Sequence, residues 1–208
     1  YILENGDLLR TRRLQGQLFQ TGGRGGGFEI IDWDGELVWE FDYFSDQYWQ
    51  HHDIEPLPNG NVLLIAWELK ADMVAIENGR NPNLLGGNLQ PSGFWPDHII
   101  EVNSESDSIV WEWHVWDHLI QDYDSSKLNY GVVSDHPELV NINYPSNPPS
   151  SSGDWLHINA VDYNMELDQI LLSVHHFGEI WIIDHSTTTA EAASHTGGNS
   201  GKGGDLLY

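Results

Sequence analysis

Leu57 to Leu64 reads Leu-Pro-Asn-Gly-Asn-Val-Leu-Leu, and a closely related phrase, Leu-Glu-Asn-Gly-Asp-Leu-Leu, occupies Leu3 to Leu9. An Asn-Gly pair between short apolar runs is a strong local signal for a hairpin turn. A second phrase also recurs, because Gly35 to Phe41 (Gly-Glu-Leu-Val-Trp-Glu-Phe) matches Ser108 to Trp113 (Ser-Ile-Val-Trp-Glu-Trp). The sequence therefore predicts a repeated unit of about four strands, which is the content of one β-propeller blade.

Short runs rich in Ile, Val, Trp and Tyr dominate the rest of the chain, and Asn-Gly and Asp-Gly pairs separate them. This pattern is typical of strands joined by tight turns. The predicted strands are Phe28 to Asp32, Glu36 to Tyr43, Val62 to Trp67, His98 to Val102, Ser108 to His114, Gln169 to Val174 and Glu179 to Asp184. Helical spacing occurs only around Lys70 to Asn78, Val115 to Gln121 and Thr189 to Ser194.

The recurrence of whole phrases favours one all-β architecture over two others. The strands of a β-sandwich do not repeat the same sequence phrases, and a β-solenoid repeats at shorter and more even intervals. We therefore predict an all-β fold, a β-propeller, in which residues 1–208 are part of one domain and residues 69–97 and 115–153 are insertions between blade strands. Because the sequence runs from Tyr1 to Tyr208 without an initiating Met, we expect a fragment with about half of the blades.

The composition removes several classes of protein. Asp and Glu total 32 against 8 Lys and Arg, a net charge of −24, which disfavours binding to a nucleic-acid backbone. The absence of cysteine excludes disulfides, thiolate metal sites and a cysteine nucleophile. No apolar run reaches the roughly 18 residues needed to span a bilayer. The acidic excess fits a solvated surface, and it also fits a field that attracts cations.

Eleven histidines stand out, and many are adjacent to Asp, Trp or another His. His52 in His-His-Asp and His157 in Asp-Trp-Leu-His occupy related repeat positions, so a propeller would turn both toward its axis. A third cluster, His175-His176, falls at a predicted hairpin turn. Three imidazoles could bind zinc or copper with Asp53 fixing a tautomer, or act in group transfer, or simply hold the structure by hydrogen bonds.

His114 and His118 are spaced four apart, as metal ligands on a helix can be. His114 belongs to a predicted strand, however, so packing or hydrogen bonding is the preferred interpretation for this pair.

Four longer phrases identify a family. They are His51 to Leu64, Trp95 to Val102, Ile109 to His118 and Asp154 to Asn159, and together they resemble the arylsulfotransferase family. The resemblance implies a six-bladed propeller, usually exported to the periplasm, cell surface or medium. It also implies transfer of a sulfuryl group from a phenolic sulfate ester to a phenol by a ping-pong route through a sulfohistidine, without cofactor.

Carried over residue by residue, the resemblance makes His52, His157 and His175 the candidate catalytic residues. The candidate substrate contacts are Asp53, Asn159 and His176, and no metal is expected. Two departures matter. His175 stands where family members have an arginine, and it lacks the permanent charge and bidentate fork of arginine. The family's nucleophilic histidine belongs to a later Gln-His-Asp-like phrase, which we expect beyond Tyr208, so these residues alone are expected to be inactive.

Small-molecule aryl sulfates and phenol acceptors are the expected partners, and assembly into a homo-oligomer stays open. A rival hypothesis is a non-catalytic extracellular propeller that serves as a binding or assembly module. The His175 departure motivates it, and a fold alone does not fix a function.

Overall fold

The computed structural model describes residues 1–15, 19, 21–85, 92–145 and 153–208. The strands are β1 (Leu8–Arg13), β2 (Gly26–Ile31), β3 (Leu37–Asp42), β4 (Tyr48–Pro56), β5 (Val62–Glu68), β6 (Asp97–Asn103), β7 (Ser108–His114), β8 (Leu119–Ile120), β9 (Val140–Asn141), β10 (Ile158–Asn164), β11 (Gln169–Val174) and β12 (Glu179–Asp184). The helices are α1 (Asp72–Glu77) and α2 (Thr189–Ala192), and 3₁₀ turns cover Pro82–Leu84, Val115–His118 and Val133–Asp135.

Three antiparallel meanders make up most of the fold. Their strand orders are β1-β2-β3, β4-β5-β6-β7 and β10-β11-β12, and β8 pairs with β9 in a small parallel sheet. The described residues thus form an all-β fold with the strand arrangement of a partial β-propeller, as the repeated phrases predicted.

The repeated Asn-Gly phrases form the same turn twice. Before β1, the N–H of Leu3 donates to the carbonyl of Asp7 at 2.8 Å, and Gly6 adopts a φ of 92°. Between β4 and β5, Leu57 donates to Asn61 at 2.8 Å, and Gly60 adopts a φ of 87°. A left-handed backbone conformation of this kind favours glycine, which explains why both phrases carry it at the same place.

The central strand β5 explains how the sheets stack. Successive side chains of a strand point to opposite faces. Leu63 and Ile65 therefore join an apolar core that includes residues of β10, β11 and β12. Val62 and Leu64 join a second core that includes residues of β1 and β2. Because β5 is buried on both faces, the four-stranded sheet lies between the other two meanders.

The seven predicted strands are all present, with ends within two residues of the predicted ones. Five strands were not predicted, namely β1, β4, β8, β9 and β10. The predicted helix from Val115 to Gln121 is wrong beyond its first turn. A 3₁₀ turn ends at His118, and Leu119 and Ile120 then pair with Val140 and Asn141 in the parallel sheet.

The proposed insertions contain most of the irregular structure. Residues 69–97 include α1, and residues 115–153 include β8 and β9, while residues 86–91 and 146–152 lie outside the described part of the chain. The division into one domain with two insertions stays a prediction. Among the described residues, no helix has the length and apolar character required to cross a membrane.

Candidate active site

His52 lies within β4, at a break in its pairing with β5. Gln50 pairs with Ala66, but the next regular pair is Ile54 with Leu64, so two extra residues bulge out of β4. His52 occupies this bulge with a φ of 51°, and its N–H donates to the carbonyl of Gly23 at 2.7 Å. Bulges redirect side chains at functional sites, and this one presents His52 toward the neighbouring sheet.

Gly23 makes the placement of His52 feasible. A side-chain carbon at residue 23 would lie 1.8 Å from the Cε1 atom of His52, closer than any two such atoms can approach. The φ of Gly23 is also positive, at 75°. Residue 23 must therefore be glycine both for its backbone conformation and for the space that the imidazole ring fills.

His157 occupies the corresponding position before β10. Its φ is 54°, almost that of His52, and its carbonyl accepts the N–H of His175 at 3.3 Å. The pairing of β10 with β11 shifts between Ile158 and Ala160, which places the half-buried Asn159 at a bulge of its own. The two histidines thus share a backbone conformation as well as a repeat position.

These local structures bring five imidazoles together. The ring centroids of His52 and His157 are 4.5 Å apart, and the rings of His157 and His176 stack at 4.8 Å. His175, the most exposed of the set, lies 5.5 Å from His157. His51, which the sequence left unassigned, is fully buried 5.3 Å from His52 and stacks on Trp67.

A line of hydrogen bonds leads from His52 through His51 to Asp97. The Nδ1 atoms of His51 and His52 are 3.0 Å apart, and His51 Nε2 lies 2.8 Å from Asp97 Oδ1. The other oxygen of Asp97 accepts the N–H of Ile158 at 3.0 Å. A single line of hydrogen bonds therefore connects a buried carboxyl group to the ring of His52.

Asp154 holds His157 in a similar way. Its Oδ2 lies 2.5 Å from His157 Nδ1, while Trp67 donates to its Oδ1 at 3.1 Å and Thr21 donates to its Oδ2 at 3.3 Å. The carboxylate is therefore fixed in position, and it orients the imidazole that it contacts.

The two candidate histidines have opposite electrostatic surroundings. Burial, together with the neighbouring rings of His51 and His157, lowers the pKa of His52 to about 4. Burial also lowers the pKa of His157, but its hydrogen bond to Asp154 and the charge of that carboxylate outweigh burial and raise it overall. His52 is therefore neutral at pH 7, whereas the charged form of His157 is favoured.

The buried pair of Asp97 and His51 favours its uncharged form. Burial raises the pKa of Asp97 well above its ordinary range, as does the charge of Asp154, and burial lowers the pKa of His51 to about 3. A protonated Asp97 donates to His51 Nε2, and His51 Nδ1–H then donates to His52 Nδ1. The remaining nitrogen of His52, Nε2, consequently carries a hydrogen and acts as a donor.

His176 has a fixed tautomer of its own. Its Nδ1–H donates to the carbonyl of Trp155 at 3.3 Å, and burial lowers the pKa of its imidazole. The other nitrogen, Nε2, is left with an acceptor lone pair. His52 and His157 thus offer hydrogen-bond donors, and His176 offers one neutral acceptor.

The carboxylate of Asp53 contacts the backbone of β10, although its position next to His52 suggested that it would fix the tautomer of a histidine. Its Oδ2 accepts the N–H of Val161 at 3.2 Å, which connects β4 to β10, and the carboxyl groups that orient the histidines are those of Asp97 and Asp154. Both residues lie within the phrases that carry the family resemblance, but no role for them was predicted. The spacing of Asp154 three residues before His157 was the available signal.

The chain matches the family model described as Arylsulfotransferase (ASST) over residues 5–191. The chain belongs to the arylsulfotransferase family. Among curated proteins, no match was found. Family membership supports arylsulfotransferase-like function in general and implies aryl sulfates and phenols as substrates. Three of the four phrases that carried the resemblance supply His52, Asp97, Asp154 and His157, all of which lie in the cluster described above.

Proposed function

We propose that this arylsulfotransferase-family protein transfers a sulfuryl group from a phenolic sulfate ester to a phenol through a sulfohistidine. One observation carries the proposal: His52 and His157 face each other at 4.5 Å, and each has its Nδ1 held by a partner. Each Nε2 is therefore left for a substrate. A neutral donor beside a cationic donor suits a sulfuryl group whose oxygens and leaving group gain negative charge.

In the first half-reaction, the lone pair of the attacking histidine forms a bond to sulfur while the bond from sulfur to the aryl oxygen breaks. The electron pair of that bond goes to the phenolate oxygen, which takes a proton from His157 Nε2. His52 Nε2–H donates to a sulfuryl oxygen throughout. The attacking histidine is expected beyond residue 208, as the family resemblance implies.

In the second half-reaction, the oxygen of the acceptor phenol attacks sulfur and the bond from nitrogen to sulfur breaks. Its electron pair returns to the imidazole, and the phenol proton passes to His157, which the first step left neutral. One residue thus serves as acid and then as base, as a ping-pong reaction requires of a single site. Asp53, Asn159, His175 and His176 remain candidate contacts for the substrate.

The test is turnover of a chromogenic aryl sulfate by the full-length protein in the presence of a phenol acceptor. We expect release of the donor phenol and formation of the acceptor sulfate, and we expect both to fall sharply in His52→Ala and His157→Ala. His136→Ala is the matched control, because His136 is an exposed histidine that pairs with Glu138 at 2.9 Å outside the cluster. No release across a broad donor panel, or full turnover in His157→Ala, would contradict the proposal.

A non-catalytic binding module is the alternative, and His175 is the observation that favours it. The exposed imidazole occupies the family's arginine position and offers no permanent charge. His175→Arg separates the two functions. The ring of His175 lies 5.5 Å from that of His157, so a guanidinium at residue 175 would reach the same cluster, and a catalytic site should gain donor affinity and turnover from it. A binding module gains affinity for aryl sulfates without any turnover.

We also propose that the protein acts outside the cytoplasm. The absence of cysteine and the net charge of −24 are compatible with an exported protein. Fractionation of the source cells with an antibody to the full-length protein tests this proposal, and recovery in the cytoplasmic fraction alone would contradict it.

A further inference from the structure

A second histidine cluster lies apart from the candidate active site and joins the end of the chain to the turn after β7. His118 ends the 3₁₀ turn, and its Nδ1 lies 2.8 Å from Asp205 Oδ1. The Nδ1 of His195, in the segment after α2, lies 2.7 Å from the same oxygen. Two imidazole nitrogens therefore converge on one carboxylate oxygen.

The hydrogen bonds of His118 fix the location of its proton. Its Nε2 lies 2.8 Å from the carbonyl oxygen of Ala192, which only accepts hydrogen bonds, so Nε2 carries the hydrogen. In neutral His118 the Nδ1 atom then presents a lone pair to the carboxylate of Asp205. Two acceptors at 2.8 Å repel each other unless a cation lies between them. A proton shared between the two groups removes this repulsion, and so does a metal ion bound to both.

The surroundings of His118 match those of a metal ligand. Histidines that bind metals usually donate their other N–H to a carbonyl or carboxylate group, as His118 does to Ala192. The buried ring also stacks on Trp113 at 5.8 Å, and Trp113 donates to the carbonyl of Gly204 at 2.7 Å. A side-chain carbon at residue 204 would lie 1.9 Å from the carbonyl oxygen of Ala192, so residue 204 has to be glycine.

We propose that His118, His195 and Asp205 bind one divalent transition-metal ion of the zinc type. Two imidazoles and a carboxylate, without thiolates, suit zinc, copper or nickel better than magnesium or calcium. The side chain of His195 is 60% exposed, so the cluster is open to entry of the ion and to a water molecule as fourth ligand.

The required adjustment is small. Ligand atoms of a tetrahedral zinc site are about 3.3 Å apart, given bonds of about 2.0–2.1 Å. The present contacts with Asp205 are 2.7 and 2.8 Å, and the candidate ligand atoms of the cluster all lie within 4.8 Å of one another. A modest outward movement of the exposed His195 ring makes room for the ion.

The ion would have a structural role. It connects residues 195 and 205 to the turn that follows β7, so its binding free energy stabilises the folded state. This inference does not rest on the proposed sulfuryl transfer, because none of the three ligands belongs to the active-site cluster.

The experiment is a zinc titration of chelator-treated protein against a chromogenic chelator, with thermal unfolding as a second readout. We compare the unmodified protein, His195→Ala and the control His136→Ala, which removes another exposed histidine. Since the active-site histidines can also bind zinc, the measured quantity is the difference in bound equivalents. Of these three proteins, only His195→Ala should bind one equivalent of zinc fewer. Zinc should raise the melting temperature of the other two proteins but not that of His195→Ala.

Asp205→Asn provides an independent check, and it should also lose the equivalent. His118→Ala is less suitable alone, because removal of a fully buried ring can unfold the protein. Magnesium should leave the melting temperature unchanged. Equal zinc binding by the unmodified protein and His195→Ala overturns the proposal, as does the absence of zinc binding in the unmodified protein.

Discussion

The imidazole rings of His52 and His157 lie 4.5 Å apart in a T-shaped arrangement, and both residues hold a left-handed backbone, with φ of 51° and 54°. A non-glycine residue in such a conformation costs about 1–3 kcal/mol and persists only where its surroundings impose it. Here a hydrogen bond to Gly23 holds the backbone of His52, and one from His175 holds that of His157. The same strained conformation at two repeat positions is what directs both rings to one place.

Gly23→Ala should disrupt this arrangement. The added carbon would lie 1.8 Å from the His52 ring, so the ring must move. A displacement of about 1 Å at a reacting centre can reduce turnover by roughly 100-fold. Gly6→Ala is the matched control, because Gly6 has a similar positive φ of 92° but open space around it. Both variants should lose comparable melting temperature, and only Gly23→Ala should lose turnover. Equal turnover in the two variants would show that the position of His52 is unimportant.

Asp154→Asn should change the pH dependence of turnover. In the proposed mechanism His157 acts as an acid, so activity should fall as pH rises through its pKa, which the contact with Asp154 raises. Without the negative charge, that pKa decreases and the alkaline limb of kcat/KM shifts to lower pH. We also expect turnover to fall on the order of 100-fold or more, the usual contribution of a general acid. Asp107→Asn removes an exposed carboxylate that bonds to Trp39, and its profile should match that of the unmodified protein.

The strands were predictable because the pattern that encodes them is local. Alternating side chains and Asn-Gly turns lie within a few residues, so β5, β6 and β7 followed directly from the sequence. The site was only partly predictable. The repeated phrases indicated that His52 and His157 would meet, but the contact between His51 and Asp97 joins residues 46 apart and depends on a two-residue bulge that no local pattern specifies.

Asp53 illustrates the same limit. Its position next to His52 suggested that it would orient a histidine, yet its carboxylate bonds to the backbone of Val161. The bulge decides which side chains of β4 turn toward the cluster, and a sequence read without the register cannot place them.

His185 should make stability depend on pH. It bridges two sheets through Glu101 at 2.9 Å and Asp168 at 2.8 Å. Burial lowers the pKa of His185, but its hydrogen bonds to these carboxylates raise it overall, above its ordinary value of 6.5. The stabilisation is therefore complete below about pH 6.5 and is lost as pH rises through the higher folded pKa.

Glu101 sets the acidic limit of the same bridge. Burial raises its pKa, but hydrogen bonds from His185, Asn61 and Asn59 lower it overall, below 4.5. Its contribution is present above about pH 4.5 and is lost as pH falls.

His185→Gln should therefore reduce the free energy of unfolding by about 1–3 kcal/mol between pH 5 and 6 and by less above pH 8. Urea unfolding between pH 5 and 8 measures this effect. As a control, His136→Gln removes the exposed pair of His136 and Glu138 and should change the free energy of unfolding by less than about 1 kcal/mol. A loss that does not vary with pH would contradict the bridge.

Asp97 offers the sharpest test of the hydrogen-bonded line behind His52. If Asp97 is protonated, as its complete burial favours, it donates to His51 and accepts from Ile158. Asparagine reproduces both contacts, because its amide N–H donates and its carbonyl oxygen accepts. Asp97→Asn should then keep the folded stability and leave His52 Nε2 as a donor, whereas Asp97→Ala leaves a buried ring unpartnered and should lose about 1–3 kcal/mol.

If Asp97 were instead ionised, His51 would have to donate to it, and the tautomers of His51 and His52 would both be reversed. Asparagine would then force both rings into the opposite tautomer, and Asp97→Asn would cost as much turnover as Asp97→Ala. Nitrogen NMR of the imidazole rings distinguishes the two states, because a protonated ring nitrogen and one with a lone pair have different chemical shifts. A protonated Nε2 on His52 in both the unmodified protein and Asp97→Asn is the expected result, since burial of the carboxyl group disfavours the charge that the other tautomer requires.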